Sequence, residues 1–94
     1  MIIAVDFDGT LQIDDAPNVR LFNQLIQSQR QGHTVILWTC RDGKRLAEAV
    51  NYCMRYGLRP NYINSNAIET IRKLGYDPRK VLADVYIDDK AVRI

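Results

Sequence analysis

The sequence predicts a three-layer α/β/α sandwich, in which helices cover both faces of a small, mostly parallel sheet. Short apolar runs alternate with segments of helical periodicity, a pattern typical of strand-helix-strand units with right-handed crossovers. The chain has 94 residues, of which 47% are hydrophobic, enough for one modest core. We therefore expect a single domain over residues 1–94, with four main strands in the order 3-2-1-4.

The four strands are predicted from four apolar runs. They occupy residues 2–6, 34–39, 61–63 and 85–87. The first run is apolar at nearly every position, which is typical of a parallel strand covered on both faces. The last three of these runs each follow a predicted helix or turn, so the strands are expected to enter the sheet from the same side.

Two amphipathic helices are predicted between the first three strands. The first spans residues 17–31 and stops at Gly32, and the second spans residues 43–56, with Asp42 as N-cap and Gly57 as the stop. Their apolar faces consist of Val19, Phe22, Leu25 and Ile26 in the first helix and of Leu46, Val50 and Cys53 in the second.

A third helix is predicted from a local capping pattern. Asn66 followed by Glu69 resembles a capping box, and Gly75 is the expected stop. The fourth strand then follows after a turn.

Composition and charge exclude several classes of protein. The net charge is +2, from 13 basic and 11 acidic residues, so nucleic-acid binding is not indicated. Cys40, Cys53 and the single His33 lack the spacing of a zinc site, and two cysteines fit a reduced compartment. No apolar stretch is long enough to span a membrane and no signal peptide precedes the first strand. We therefore expect a cytoplasmic protein without a membrane partner.

Polar residues follow three of the predicted strands at the point where each strand ends. Asp6 and Asp8 close the first strand, Thr39 the second, and Asp88 and Asp89 the fourth. The carboxyl ends of parallel strands meet at one sheet edge, which is where α/β proteins bind ligands. Clustered carboxylates raise one another's pKa values, and a divalent cation relieves that conflict. All-oxygen ligands favour Mg²⁺, which commonly completes its shell with phosphate, so a phosphorylated substrate is predicted.

The acidic run after the first strand is similar to the first motif of the haloacid dehalogenase (HAD) superfamily, and it reads Asp6-Phe7-Asp8-Gly9-Thr10-Leu11. Thr39 resembles the second motif of that superfamily, a Thr or Ser that closes an apolar strand. The pair Asp88-Asp89 resembles the fourth motif. The resemblance covers nearly the whole chain, with the motifs in the family's order.

This resemblance implies a Rossmann-like fold and a Mg²⁺-dependent phosphatase that acts through an aspartyl-phosphate intermediate. By the same resemblance Asp6 is the nucleophile and a metal ligand. Asp8 is the general acid and base and binds the metal through its backbone carbonyl. Thr39 binds the phosphoryl oxygens. Asp88 binds the metal directly or through water, and Asp89 supports it.

The family's third motif is a lysine, and the sequence offers more than one candidate. Lys80 precedes the fourth strand at a suitable distance and is our choice, while Lys73, at the end of the third helix, is the alternative. Lys44 and Lys90 are more remote.

The substrate side of the site is predicted from the residues around the motifs. Gly9, Cys40 and Arg41 are expected to contact substrate beside Thr39, although Arg41 is as well explained as an exposed arginine at a helix start. The stretch 12–16 is too short to hold an inserted cap domain, so the chain resembles capless members of the family. An open site suits a large phosphorylated substrate. It also suits closure by a second copy, and the free sheet edge expected after the fourth strand favours a homo-oligomer.

Two other functions share part of this pattern with a phosphatase. A phosphoacceptor receiver domain needs an acceptor aspartate after the third strand, where this chain has Asn64 and Ser65. A catalytically weak binding or regulatory protein of HAD fold would be expected to lose Asp6 or Asp8, and both are present. This second alternative remains open because the lysine is uncertain.

Overall fold

Four parallel strands form the centre of the sheet. The structure is a computed structural model that describes residues 1–89 and 92–93. The strands pair in the spatial order β5-β4-β1-β6 and comprise β1 (Ile2–Val5), β4 (Thr34–Leu37), β5 (Tyr62–Ile63) and β6 (Val85–Ile87). The prediction of a small α/β domain with a mostly parallel sheet is confirmed.

The strand order differs from the predicted four-strand order 3-2-1-4 because the chain contains three further short strands. β2 (Gln12–Ile13) and β3 (Ala16–Pro17) form a separate antiparallel hairpin, and β7 (Val92–Arg93) pairs antiparallel with β6. In chain numbering the sheet therefore reads 5-4-1-6-7. Asp14 and Asp15 make the hairpin turn with φ values of 50° and 61°. The fourth predicted strand corresponds to β6, and β7 pairs with its outer edge. The free sheet edge that was expected at this strand is therefore occupied.

Three helices connect the strands. They are α1 (Val19–Arg30), α2 (Gly43–Arg55) and α3 (Ile68–Leu74). None of them, nor any other helix within the described ranges, is long and apolar enough to cross a membrane. α1 begins later than predicted because the side chain of Asn18 caps it, accepting a hydrogen bond from the backbone N–H of Leu21 at 3.2 Å. Asp42 precedes α2 as predicted, but its side chain makes no capping hydrogen bond.

The main core lies on one face of the sheet, under α1 and α2. Alternate strand residues point to this face, as the period of two along a strand requires. Val19 was predicted to face the core, but it is the first residue of α1 and 55% exposed. The buried cluster consists of Ile3, Val5, Phe7, Leu11, Phe22, Leu25, Val35, Leu37, Ala49, Cys53 and Leu58.

The opposite face has a smaller core that an extended segment covers. Ala4 and Ile36 pack there against Val81, which is 5% exposed. α3 is only seven residues long and buries no side chain, with Ile68 and Leu74 half exposed. The second helical layer of the predicted sandwich is therefore largely replaced, on this face, by the chain around Val81.

Asn66 does not cap α3 as predicted. It lies two residues before the helix, and its side chain is buried and bonded to the extended segment instead. Its Oδ1 accepts from the backbone N–H of Leu82 at 2.6 Å, and its Nδ2 donates to Asp77 Oδ1 and to the carbonyls of Pro78 and Lys80 at 3.0–3.1 Å. This amide thus helps to fix the path of the chain from α3 to β6, together with the hydroxyl of Tyr86, which bonds Val81 and Ala83.

Candidate functional site

Hydrogen bonds beyond the strand ends bring the predicted site residues to one sheet edge. The backbone N–H of Asp6 donates to the carbonyl of Ile87 at 2.9 Å, and that of Trp38 donates to the carbonyl of Val5 at 2.8 Å. These bonds continue the β1–β6 and β1–β4 ladders by one step. The segments that follow β1, β4 and β6 therefore stay side by side as they leave the sheet.

A pocket of about 260 Å³ opens at this edge. The first aspartate of the chain, the predicted threonine and the acidic pair meet there, although they come from three different strands. Trp38 also borders the pocket and makes an edge-to-face contact with Tyr86, with 5.8 Å between the ring centroids. The lining residues are Asp6, Trp38, Thr39, Cys40, Asp88 and Asp89.

The carboxylate of Asp6 is partly buried and surrounded by like charge. Burial is the main cause that raises its pKa above the ordinary value, and the negative charges of Asp8, Asp89 and Asp88 raise it further. A hydrogen bond from the backbone N–H of Phe7 to Asp6 Oδ1, at 2.8 Å, acts in the opposite direction. The ionised form of Asp6 is therefore under electrostatic stress that a cation would relieve.

Asp8 has a different environment, because Arg41 binds both of its carboxylate oxygens. Arg41 Nη2 donates to Asp8 Oδ1 at 2.7 Å and Arg41 Nε donates to Asp8 Oδ2 at 3.0 Å. These hydrogen bonds lower the pKa of Asp8, so the expectation that the clustered carboxylates all raise one another's pKa is wrong for this residue. The guanidinium also lies over the Phe7 ring, 4.7 Å from its centroid.

Gly9 allows the chain after Asp8 to pass close to the acidic pair. Its φ is +77°, and a Cβ at this position would lie 3.1 Å from the Cβ of Asp89. Gly9 does not border the pocket of Asp6 but a neighbouring cavity that also touches Asp88 and Asp89. Its role visible here is a close approach to the side chain of Asp89, and the contact with substrate stays a prediction.

Thr39 is held by a residue that the sequence reading did not assign to the site. The backbone N–H of Thr39 donates to Asn64 Oδ1 at 2.8 Å, and Thr39 Oγ1 accepts from the backbone N–H of Arg41 at 3.2 Å. Asn64 directly follows β5 and has a φ of 51°. A polar residue at the end of the third parallel strand was the available signal for this role.

No lysine borders the pocket within the described part of the chain. Lys80 is exposed, and its carbonyl is fixed by Asn66. Lys73 lines a cavity with Ile2 and Asp84, which lie at the amino end of the sheet, away from the pocket. Lys44 lies exposed in the first turn of α2. The remaining candidate, at position 90, lies outside the described residues.

The donor atoms of the pocket suit Mg²⁺. They are carboxylate and hydroxyl oxygens, which this hard cation prefers, and a cation would stabilise the ionised form of Asp6, whose pKa is raised first by burial and then by the neighbouring carboxylates. Within residues 1–89 and 92–93 no three His, Cys, Asp or Glu side chains are arranged as a ready-made metal cluster. The residues therefore fit the ion by chemistry, with the carboxylates of Asp6, Asp88 and Asp89 all on the lining.

Comparison with solved structures shows the family of the chain. No protein-family model matches the chain. No curated protein matches it either. A solved structure of a conserved protein from Bacteroides thetaiotaomicron matches with a TM-score of 0.75 and 33% sequence identity, over 97% of this chain and 77% of that one. The chain therefore belongs to the same family as this conserved Bacteroides protein.

Proposed function

We propose that the protein is a Mg²⁺-dependent phosphatase, a phosphoric-monoester hydrolase of HAD type that works through an aspartyl-phosphate. The observation that carries the proposal is the environment of Asp6. This carboxylate lies at the carboxyl end of β1 in a pocket shared with Thr39 and two further carboxylates. A partly buried acid at this position, with its pKa raised, is typical of a functional group rather than of a structural one.

The first chemical step is assigned to Asp6 and Asp8. An oxygen of Asp6 attacks phosphorus, the bond from phosphorus to the ester oxygen breaks, and the departing oxygen takes a proton from Asp8. In the second step Asp8 removes a proton from water, and the water oxygen attacks phosphorus. The aspartyl-phosphate bond then breaks, which restores the Asp6 carboxylate and releases phosphate. Thr39 orients the phosphoryl oxygens throughout.

Mg²⁺ would be held by Asp6 and Asp88, by the backbone carbonyl of Asp8, and with support from Asp89. When bound, it supplies positive charge that allows the anionic phosphate to approach these carboxylates. Lys80 is our choice for the additional cation near the phosphoryl group, because Lys73 lies at the opposite end of the sheet.

The site is proposed to be open. Only the β2–β3 hairpin lies between β1 and α1, where a cap domain would otherwise be inserted. An uncapped pocket suits a large phosphorylated substrate, such as a phosphoprotein or a nucleic-acid end, or closure by a second copy of the chain. We also infer a cytoplasmic location, because the two cysteines fit a reduced compartment.

The test is turnover of p-nitrophenyl phosphate by the purified chain. We expect hydrolysis with Mg²⁺, loss of activity with EDTA, and recovery when Mg²⁺ is restored in excess. Beryllium fluoride, which mimics a phosphoryl group on an aspartate, should bind the wild type but not Asp6→Asn, as followed by fluorine NMR. Binding that persists in Asp6→Asn would contradict the assignment of the nucleophile.

A catalytically weak binding or regulatory protein is the second candidate. It is favoured by the two hydrogen bonds that tie Asp8 to Arg41 and by the lack of a lysine on the described pocket lining. This candidate predicts Mg²⁺-dependent binding of phosphate or beryllium fluoride with no turnover across a broad panel of phosphate esters.

A further inference from the structure

Arg41 has hydrogen-bonding capacity beyond its ion pair with Asp8. Its side chain is only 15% exposed, whereas that of Asp8 is 52% exposed. The guanidinium donates twice to Asp8 and once, from Nη1, to the carbonyl of Arg45 at 3.3 Å. A guanidinium carries five N–H groups, so two donors have no partner among the described residues. A covered cation with two such donors is well suited to an additional anion.

Arg41 also borders a second cavity, which shares no lining residue with the pocket of Asp6. This Arg41 cavity has a volume of about 390 Å³. Besides Arg41, its polar lining consists of Gln12, Glu48, Asn51, Tyr52 and Arg55. Two arginines face one glutamate there, so the lining carries a net positive charge. The amides of Gln12 and Asn51 add neutral donors that suit carboxylate or phosphate oxygens.

Tyr52 provides a second sign that the Arg41 cavity is built for a polar ligand. Its hydroxyl is buried and makes no hydrogen bond to any described residue. Gln12 and Tyr56 make hydrogen-bonding contacts with this hydroxyl that are close enough to act on its pKa, which burial chiefly raises, but neither contact has the geometry of a full hydrogen bond. Buried hydroxyls are rarely left without a partner in folded proteins. A polar group entering beside Arg41 would supply one.

We propose that Arg41 and the Arg41 cavity bind a second anionic group of the substrate, a carboxylate or a phosphate, on the leaving-group side of the ester. The inference rests on the proposed function, because it takes Asp8 as the acid that reaches the ester oxygen. Asp8 and Arg41 are in direct contact, so whatever is attached to that oxygen must pass close to the free N–H groups of Arg41. The preferred substrates are therefore phosphate monoesters that carry a further negative charge a few bonds from the ester.

Three esters built on one scaffold test this specificity. Hydroxyethyl phosphate has a neutral tail, phosphoglycolate replaces its hydroxymethyl group with a carboxylate, and ethylene glycol bisphosphate carries a second phosphate. We expect kcat/KM with Mg²⁺ to be about tenfold or more higher for at least one anionic ester than for the neutral one. The more efficient of the two identifies which anion the cavity accepts.

Variants of Arg41 connect the preference to this residue. Arg41→Gln should abolish the preference, and Arg41→Lys, which keeps the charge but loses the planar fork, should keep part of it. Arg30→Gln, which removes an exposed arginine in the last turn of α1, is the matched control and should keep the full preference. An anionic preference that survives intact in Arg41→Gln overturns the inference.

Binding measurements separate this inference from the phosphatase proposal. Phosphonopropionate and hydroxypropylphosphonate are non-hydrolysable counterparts of the carboxylate and neutral esters, and their Kd values can be measured by calorimetry with Mg²⁺. We expect the carboxylate compound to bind about tenfold more tightly to the wild type and no more tightly to Arg41→Gln. The inference is overturned if the wild type binds the two phosphonates with equal Kd values and also shows no higher kcat/KM for the bisphosphate than for the neutral ester. This holds even if all three esters are hydrolysed. A clear binding preference without hydrolysis of any ester keeps the anion site and overturns the phosphatase.

Discussion

Arg41 donates hydrogen bonds to both carboxylate oxygens of Asp8, at 2.7 and 3.0 Å, although the two residues are 33 positions apart in the sequence. This ion pair ties the loop after β1 to the loop after β4. It also gives Asp6 and Asp8, which are two positions apart in the sequence, different electrostatic environments. Asp8 is neutralised and has a lowered pKa, whereas Asp6 stays outside the ion pair with a raised pKa. As the proposed general acid, Asp8 must carry a proton when the ester oxygen departs, so its ion pair with Arg41 has to open for that step, whereas Asp6 attacks in its ionised form.

Replacing the proposed nucleophile should abolish activity without unfolding the protein. Asp6→Asn is expected to lower kcat for p-nitrophenyl phosphate by about a thousandfold or more, because an amide cannot form the acyl phosphate. Asp15→Asn is the matched control, since it changes an exposed aspartate in the hairpin turn whose left-handed backbone suits asparagine. Circular dichroism should be unchanged in both variants. Appreciable turnover by Asp6→Asn would assign the nucleophile elsewhere.

The raised pKa of Asp6 predicts the pH dependence of stability. The folded protein binds this proton more tightly than the unfolded chain, so the ionised carboxylate lowers stability as pH rises above its ordinary pKa of 3.8. Without Mg²⁺, Asp6→Asn should therefore have a higher Tm than the wild type at pH 7. The difference should shrink as pH falls toward 3.8. A lower Tm for Asp6→Asn at neutral pH would contradict the electrostatic stress described for this group.

Mg²⁺ should stabilise the folded protein through the pocket carboxylates. At a Mg²⁺ concentration of about ten times its Kd, the free energy of unfolding should rise by about 1.4 kcal/mol. Asp88→Asn should reduce this increment, while Asp15→Asn should keep it. The measurement is thermal unfolding across a Mg²⁺ titration. An equal increment in Asp88→Asn would place the ion outside the pocket.

Gly9 and Gly32 allow a test of the backbone approach to Asp89. Both have left-handed φ values, +77° and +91°, but an added Cβ meets Asp89 only at Gly9 and nothing within 4 Å at Gly32. Each alanine substitution should cost about 1 kcal/mol for the backbone conformation. Gly9→Ala should cost more than Gly32→Ala and should also weaken Mg²⁺ binding, because Asp89 must shift. Urea unfolding and a Mg²⁺ titration of the two variants provide the comparison.

The lysine assignment is tested by two alanine variants. Lys80→Ala should lower kcat by about a hundredfold, the usual effect of removing one charge that stabilises a transition state. Lys73→Ala should leave kcat within about twofold of the wild type, because Lys73 lines a cavity at the amino end of the sheet. If neither substitution matters, the activating cation is not one of these two residues.

The parts of the fold that depend on local pattern could be predicted from the sequence. The four parallel strands and the first two helices begin and end within two residues of their predicted positions, because apolar runs and helical periodicity encode them directly. The hairpin over residues 12–17 was not predicted, since its turn is made by two aspartates in a conformation usually taken by glycine. The convergence of Asp6, Thr39 and Asp88 followed from the rule for parallel strand ends.

Contacts between distant residues could not be predicted in the same way. Asn66 and Glu69 satisfy a capping pattern, yet tertiary hydrogen bonds to the segment before β6 outweigh it for Asn66. The ion pair between Arg41 and Asp8 depends on how two loops turn after their strands. The support of Thr39 by Asn64 depends on the end of a two-residue strand. Each of these requires the three-dimensional arrangement of the chain.

The hydrogen bonds of Asn66 have a consequence for the precision of the pocket. Over residues 77–82 the chain has neither helix nor strand, and it is held by the buried amide of Asn66, by the packing of Val81 and by the hydroxyl of Tyr86, which donates to the carbonyl of Val81 at 2.7 Å. That segment leads directly into β6, which delivers Asp88 and Asp89 to the opposite end of the sheet. A change that displaces the segment held by Asn66 would shift β6 and with it the acidic pair. The positions of the two carboxylates thus depend on contacts made at the other end of the strand.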